Sequence, residues 1–320
     1  MIVYDKANLS KVAKDLGFIR DTYEKVLRLI KVLDYLNSDD LLSSHFVLKG
    51  GTALNLVYLD LPRLSVDIDL DFIPDIDMED MLALRKVLTE RIVSYMEENG
   101  YPLSPYSRYS HSLDALVFDY RNAGGNKDYI QVELNYSLRS HVLPSVIRPI
   151  YAGLSDREVT VRVLDSIEIF ATKVNALMNR AKPRDLYDVI NMIDNGFCQN
   201  EQKDLLRKCI IFYACISAPE VNKDFDVSAI DEIKINSVKR QLLPVIKKKE
   251  FIDIEFQKRK AKEYIKDLMV LTSKEMKFMD LFEDGVYCPD LLFDDTCVLN
   301  NVLKHPMALW KCKSKVDNSF

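Results

Sequence analysis

Asp67, Asp69 and Asp71 alternate with Val66, Ile68, Leu70 and Phe72. Strand side chains point to opposite faces with a period of two, so this run predicts a half-buried strand whose other face is a row of carboxylates about 6.6–7 Å apart. Such a row repels itself, and it persists in ionised form where water or a cation neutralises it; a hard divalent ion with oxygen ligands is the matching cation. A third carboxylate, Glu133, sits among Gln131 and Asn135 in a second alternating run, opposite Ile130, Val132, Leu134 and Tyr136. Two carboxylates on one strand and a third on a neighbour can hold two metal ions about 3.5–4 Å apart, which supports in-line displacement at phosphorus. A solvated strand face is the competing reading. Upstream, Gly50, Gly51 and Thr52 follow the short apolar run Phe46–Leu48. Glycines at a strand-to-helix turn let backbone N–H groups approach a phosphate, and the helix start favours the anion. A tight turn with no ligand is compatible with the same residues.

The elements that would position these groups can be read from periodicity. Apolar residues from Leu9 to Leu36 recur at three- and four-residue spacing, predicting two amphipathic helices broken near Gly17. A buried strand ends at the glycines, a helix spans about Thr52 to Leu59, and a turn falls at Pro62. After the aspartate strand come a helix from about Met78 to Asn99 and strand-like segments near Pro105–Ser110, Asp114–Arg121 and Asp128–Tyr136. The connection NAGGNK at 122–127 is hairpin chemistry. A last strand at about 159–164 closes this half, and helical spacing then dominates from Ser166 almost to Pro306, with turns near Gly196, Pro219, Pro244 and Gly285. The fold class is therefore α+β: a mixed sheet with flanking helices over 1–160, then an all-helical domain over 161–320. In that second part Lys173 and Arg180 fall near one helix face, Pro183 suits the first turn of the next helix, and Asp185 and Asp188 are spaced i, i+3 within it. These acids could act directly, or could pair with Arg180 or Arg184 to fix the two helices.

Composition narrows the class. The chain has 320 residues, 48% hydrophobic and 29% charged, with a mean hydropathy of −0.10, the values of a globular protein. Its apolar stretches are far shorter than the roughly 20 residues that span a bilayer. The N-terminus MIVYDKANLSKVAKDLGF carries charges every few residues and has no apolar signal region, so a cytoplasmic protein with no membrane partner is expected. None of the six cysteines forms a CxxC pair, and the four histidines lack metal-ligand spacing, so reduced thiols and ordinary imidazoles are expected. The net charge of −5 gives no global sign of nucleic-acid binding, but its distribution is uneven. From Asp60 to Asp80 there are eight acids and one base; from Lys234 to Lys274 there are twelve bases and five acids. An acidic pole suits cation binding and a basic pole suits a polyanion, although a lysine-rich run also reads as a solvated helix face.

FVLKGGTALNLVYLDLPRLSVDIDLDF is similar to the signature of the nucleotidyltransferase superfamily, and resembles most the AbiEii/AbiGii-type toxin family, which joins a Gly-Gly-Thr turn to an Arg-x-Ser-x-Asp-Ile-Asp run. ATKVNALMNRAKPRDLYDV, with Lys173, Arg180, Arg184, Asp185 and Asp188, resembles the family's second block. The resemblance implies a nucleotidyltransferase-like sheet and a helical domain that completes the nucleotide site. It implies that Gly50, Gly51, Thr52, Ser65, Lys173 and Arg180 bind the nucleotide, and that Asp67, Asp69 and Glu133 bind Mg2+, two ions in all. Asp67, Asp69, Lys173 and Asp185 would be catalytic. An NTP would be the substrate, with an RNA acceptor, the 3′ end of tRNA foremost. A cognate antitoxin protein and growth arrest or abortive infection would follow. A protein hydroxyl as acceptor, and a non-enzymatic nucleotide- or RNA-binding module, are the alternatives that the sequence leaves open.

Overall fold

The structure is a computed structural model and describes residues 4–217 and 223–317; the turn expected near Pro219 lies outside the described residues. Helices α1 (Lys6–Leu16) and α2 (Arg20–Ser38) bury Leu9, Val26, Ile30 and Leu33, four of the positions that the helical spacing selects. Gly17 parts them in the left-handed region at φ +86°, and its N–H donates to the carbonyls of Ala13 and Lys14, a helix end that suits a residue without Cβ. The short α3 (Asp40–His45) then feeds β1 (Phe46–Lys49). A nine-residue helical segment follows, opening as α4 (Gly50–Ala53) and ending in one π-helical turn, Leu54–Tyr58. It leads to β2 (Asp67–Phe72) and the long α5 (Met78–Glu98).

The remaining strands are β3 (Arg108–Tyr109), β4 (Leu113–Arg121), β5 (Lys127–Asn135), β6 (Val146–Pro149) and β7 (Thr160–Val163). All seven form one mixed sheet in the order β3-β4-β5-β2-β1-β7-β6. β1 and β2 are antiparallel, β2 and β5 parallel, and β4 and β5 form the hairpin closed by 122–127, where Asn122 Oδ1 accepts from the N–H groups of Gly124 and Asn126. The apolar alternates Ile68, Leu70, Ile130, Val132 and Leu134 are buried, as the period-two pattern requires. The strands depart from the sequence-based expectation at two points. β6 has no counterpart in the sequence pattern: Ile147, Arg148 and Pro149 are all exposed, so this edge strand has no buried face to create one. The Pro105–Ser110 segment is a strand only at Arg108–Tyr109.

The chain divides into two compact units. The first comprises residues 1–139, 145–164 and 243–250 and holds the whole sheet. The second comprises 140–144, 165–242 and 251–320 and is helical. Its helices are α6 (Ser166–Arg180), α7 (Pro183–Asp194), α8 (Lys203–Ser217), α9 (Ile235–Gln241), α10 (Ile254–Leu268), α11 (Ser273–Glu283), α12 (Thr296–Val302) and α13 (Pro306–Asp317). Phe170, Leu177, Leu186, Ile210, Phe212 and Phe278 are fully buried there. Glu168 is also fully buried, and it ties residues 140–144 to this unit by accepting from the N–H groups of Val142 (2.8 Å) and Leu143 (3.2 Å) and from the Tyr213 hydroxyl. Burial pushes its carboxyl above the ordinary glutamate range.

Candidate active site

The residues singled out in the sequence gather into two clusters, one in each unit. The first is built by register. Lys49 on β1 lies opposite Asp69 on β2, and Asp69 lies beside Glu133 on β5; two pairs up, Asp67 lies beside Gln131, and two pairs down, Asp71 lies beside Asn135. Because registered neighbours project to the same side of a sheet, Lys49, the three aspartates, Gln131, Glu133 and Asn135 share one face. Asp67 and Asp69 are partly exposed on it.

The Gly-Gly turn meets this face at close range. Gly50 has φ +72°, in the left-handed region, and a Cβ there would overlap Asp69 Oδ2. A Cβ on Gly51 would come within 2.7 Å of Arg63 Nη2 and 3.1 Å of Ser65 Oγ. Gly50 is required by conformation, and at both glycines a Cβ would push the facing side chains aside. Thr52 is fully buried; its hydroxyl donates to the Asp67 carbonyl and lies 2.9 Å from Ser65 Oγ. It ties the turn to the first residue of the carboxylate strand, so what Thr52 offers an anion is its backbone. Asn55 donates to the Gly51 carbonyl at 2.9 Å, and buried Arg63 donates to the Leu64 carbonyl at 3.0 Å.

Asp71 departs from the solvated row that alternation suggests. It is completely buried, ion-paired with Lys49, and accepts from Asn135 Nδ2 at 2.8 Å. Alternation identifies the face but not the depth of a position along it. Sequence reasoning misses the roles of Lys49 and Asn135 for the same reason; the one signal for Lys49 is a lone charge ending an otherwise apolar strand. Glu133 Oε1 accepts from Gln131 Nε2 at 2.6 Å. Among the described residues no three His, Cys, Asp or Glu side chains converge into a ready metal cluster. The donors nevertheless suit a hard divalent cation: Asp67 and Asp69 offer oxygen only, and the missing Cβ of Gly50 leaves space at Asp69 Oδ2.

The second cluster pairs charges between two consecutive helices. Lys173 on α6, nearly buried, stands 2.7 Å from Asp188 and 3.6 Å from Asp185 on α7. Arg180 holds Asp185 with two parallel bonds of 2.7 and 2.9 Å, and Arg184 donates to the Gln241 carbonyl at 2.8 Å. Asp185 and Asp188 have essentially no exposure, whereas the Arg180 side chain is 59% exposed. Ala181 in the left-handed region, then Lys182 and Pro183, turn the chain so that α6 and α7 can place these charges face to face. The six cysteines are all free thiols, and among the described residues no helix is long and apolar enough to cross a membrane.

Comparison with known proteins supplies the context for this geometry. The backbone is similar to that of MenT4, nucleotidyltransferase toxin Rv2826c from Mycobacterium tuberculosis H37Rv, with a TM-score of 0.63 and 15% identity over 86% of this chain and 92% of that one. An antigenic nucleotidyltransferase-like protein from Paracoccidioides brasiliensis aligns over 86% of this chain and 97% of its own with a TM-score of 0.34 and 15% identity. No curated protein sequence matches the chain. The family model described as nucleotidyl transferase AbiEii toxin, type IV TA system, matches residues 31–283, a span that takes in the Gly-Gly turn, the carboxylate strands and the α6–α7 charge cluster. The chain is thus a nucleotidyltransferase belonging to the AbiEii toxin family of type IV toxin–antitoxin systems.

Proposed function

We propose that this toxin transfers a nucleotide from an NTP to an RNA acceptor, the 3′ end of tRNA foremost, with Mg2+ as its metal. The observation that carries the reading is the approach of the Gly50 turn to Asp69, which puts backbone donors for phosphate against carboxylates for a cation on one sheet face. Asp67 and Asp69 are the residues that would hold the metal, with Glu133 as the third carboxylate; two ions are the number that the family resemblance implies. Bound Mg2+ would neutralise phosphate charge and polarise the reacting phosphorus. The protein's own part is positioning. Gly50 and Gly51 present N–H groups to the phosphates, Thr52 and Ser65 fix that turn to β2, and the α6–α7 cluster offers Lys173 and the exposed Arg180 to the nucleotide, with Asp185 orienting Arg180. The acceptor hydroxyl attacks the α-phosphorus, an O–P bond forms, and pyrophosphate leaves with the electrons of the broken one. Growth arrest in the cytoplasm would follow, relieved by the cognate antitoxin that the family implies.

The test is incubation with each of four α-labelled NTPs, Mg2+ and total RNA, followed by sizing of the labelled product. Label in tRNA-sized RNA that disappears with Asp67→Asn supports the reading. Label on protein instead would identify a protein hydroxyl as acceptor, and no Mg2+-dependent label in any fraction would overturn the enzymatic proposal.

A further inference from the structure

A groove of about 660 Å3 lies in the first unit, between α1, α2 and the connection that precedes β7. No residue of the carboxylate face lines it. Helical spacing along α2 brings Tyr23, Leu27, Ile30, Lys31 and Asp34 into one stripe along the groove. Leu9 of α1 and Leu154 and Val159 of the connection adjoin that stripe, and these three are buried, as are Tyr23 and Ile30. The connection is a fixed wall: the Ile150 N–H donates to the Val159 carbonyl at 2.9 Å, the Tyr151 N–H donates to the Leu56 carbonyl at 2.7 Å, and Arg157 ion-pairs with Asp34 on α2. Asp156 precedes Arg157 in the chain, and Lys31 lies about one helical turn before Asp34, so that ion pair holds an exposed acid and an exposed base at one end of the groove. Among the described residues neither Lys31 nor Asp156 has an ion-pair partner. Tyr4 lines the groove as well, and its hydroxyl is buried with no hydrogen-bond partner among the described residues.

We infer that this groove binds a small zwitterion with an apolar side chain, an α-amino acid or a dipeptide. Its ammonium faces Asp156, its carboxylate faces Lys31, and its side chain packs on Leu9, Tyr23 and Ile30. The Tyr4 hydroxyl is a further donor for a carboxylate or peptide carbonyl oxygen. Size, charge and apolar surface each support this occupant. The volume falls within the range of about 300–1,000 Å3 typical of small-ligand pockets. The remaining charges of the lining are already used: Asp5 caps α1 by accepting from the N–H groups of Ala7 (3.0 Å) and Asn8 (3.1 Å), and Asp34 holds Arg157. One base and one acid are left. A ligand of a single charge would meet one of them as a like charge, whereas a zwitterion satisfies both with charge-assisted hydrogen bonds. The buried floor then selects for an apolar side chain, because burial of that side chain supplies the hydrophobic part of the affinity. This site is independent of the transfer reaction.

The full-length protein is titrated calorimetrically with L-leucine, L-phenylalanine and leucyl-leucine. N-acetylleucine, which lacks the ammonium, is one control; leucinamide is the other, used below about pH 7, where its amine is still protonated and no carboxylate is present. The expected result is saturable binding of at least one zwitterion, with both controls weaker than leucine by about tenfold or more. Tighter binding of the dipeptide assigns the groove to peptides, and tighter binding of leucine or phenylalanine assigns it to free amino acids. Asp156→Asn and Lys31→Met change exposed side chains, and melting temperature identifies folded protein. Asp156→Asn should lower the affinity for leucine to that for N-acetylleucine, and Lys31→Met should lower it to that for leucinamide. The absence of saturable binding by all three zwitterions overturns the proposal. So does binding that keeps its wild-type strength in either folded variant, or that either control matches.

Discussion

Asp67 and Gly50 are the two positions where a single change should speak most directly. Asp67→Asn keeps the volume and removes the charge that a divalent ion needs, so near-complete loss of transfer with an unchanged melting temperature is expected; wild-type turnover at limiting Mg2+ would exclude Asp67 as a ligand. Gly50→Ala should damage both fold and activity. A side chain at φ +72° costs roughly 1–2 kcal/mol from backbone sterics alone, and its Cβ would displace the Asp69 carboxylate. The melting temperature should fall by several degrees and transfer should be lost in the fraction that remains folded, as thermal unfolding and a labelled-NTP assay would show. Both residues are legible in the sequence, since period-two alternation assigns Asp67 a face and paired glycines mark a backbone approach. Asp71 is not. Its neighbours alternate just as those of Asp67 do, and only the partners Lys49 and Asn135, brought in by strands β1 and β5, explain why a carboxylate at that position is buried.

Helices α6 and α7 show what pairing elements does to charges that sequence places in a row. Helical spacing puts Lys173 and Arg180 near one face and Asp185 and Asp188 near another, and leaves open whether the acids act or only pair. The structure pairs Arg180 with Asp185 and Lys173 with Asp188. Lys173→Ala would remove the ion pair that buried Asp188 makes, while Asp185 keeps Arg180, a cost of about 3–5 kcal/mol of stability by analogy with broken buried pairs. The denaturation midpoint should therefore drop sharply. Lys173→Met with Asp188→Leu removes both charges and should recover much of that stability. Nucleotide use should stay reduced in the double variant about ten- to a hundredfold, the effect of removing a charge-assisted hydrogen bond of about 1.5–3 kcal/mol. If the double variant regains full catalytic efficiency together with stability, Lys173 fastens the helices and touches no nucleotide. Element boundaries are less legible where no buried face exists, as for β6, or where helix type changes within one apolar run, as in the π-helical turn 54–58.

The charge distribution over the whole chain gains meaning only from its path. Sequence locates a basic run from Lys234 to Lys274 and reads it either as a surface for a polyanion or as a solvated helix face. On α10 much of that charge is answered locally: Lys258 pairs with Glu255, Lys260 with Asp194 and Lys262 with Asp231. Lys247, Lys248 and Lys249 differ. They lie outside any helix, exposed, on the 243–250 segment that returns to the sheet-bearing unit. That segment is anchored by Leu64 N–H donating to the Val245 carbonyl at 2.7 Å, by a bridge between Arg63 and Ile246, and by Lys248 N–H donating to the Gly17 carbonyl at 2.8 Å. No local pattern marks such a return, because the hydrogen bonds that fix it join residues about 180 positions apart or more. Its consequence is that three exposed lysines begin one residue beyond the bridge to Arg63, which in turn lies four residues before Asp67. An RNA whose end enters the carboxylate site would therefore have its backbone phosphates within reach of this triplet. Replacing all three with Glu should weaken RNA binding and flatten its salt dependence, by about 0.7–0.9 log units of slope for each phosphate no longer neutralised, while binding of an NTP analogue changes little. Filter binding across a salt series measures both quantities, and an unchanged slope together with unchanged affinity would remove the triplet from the acceptor path.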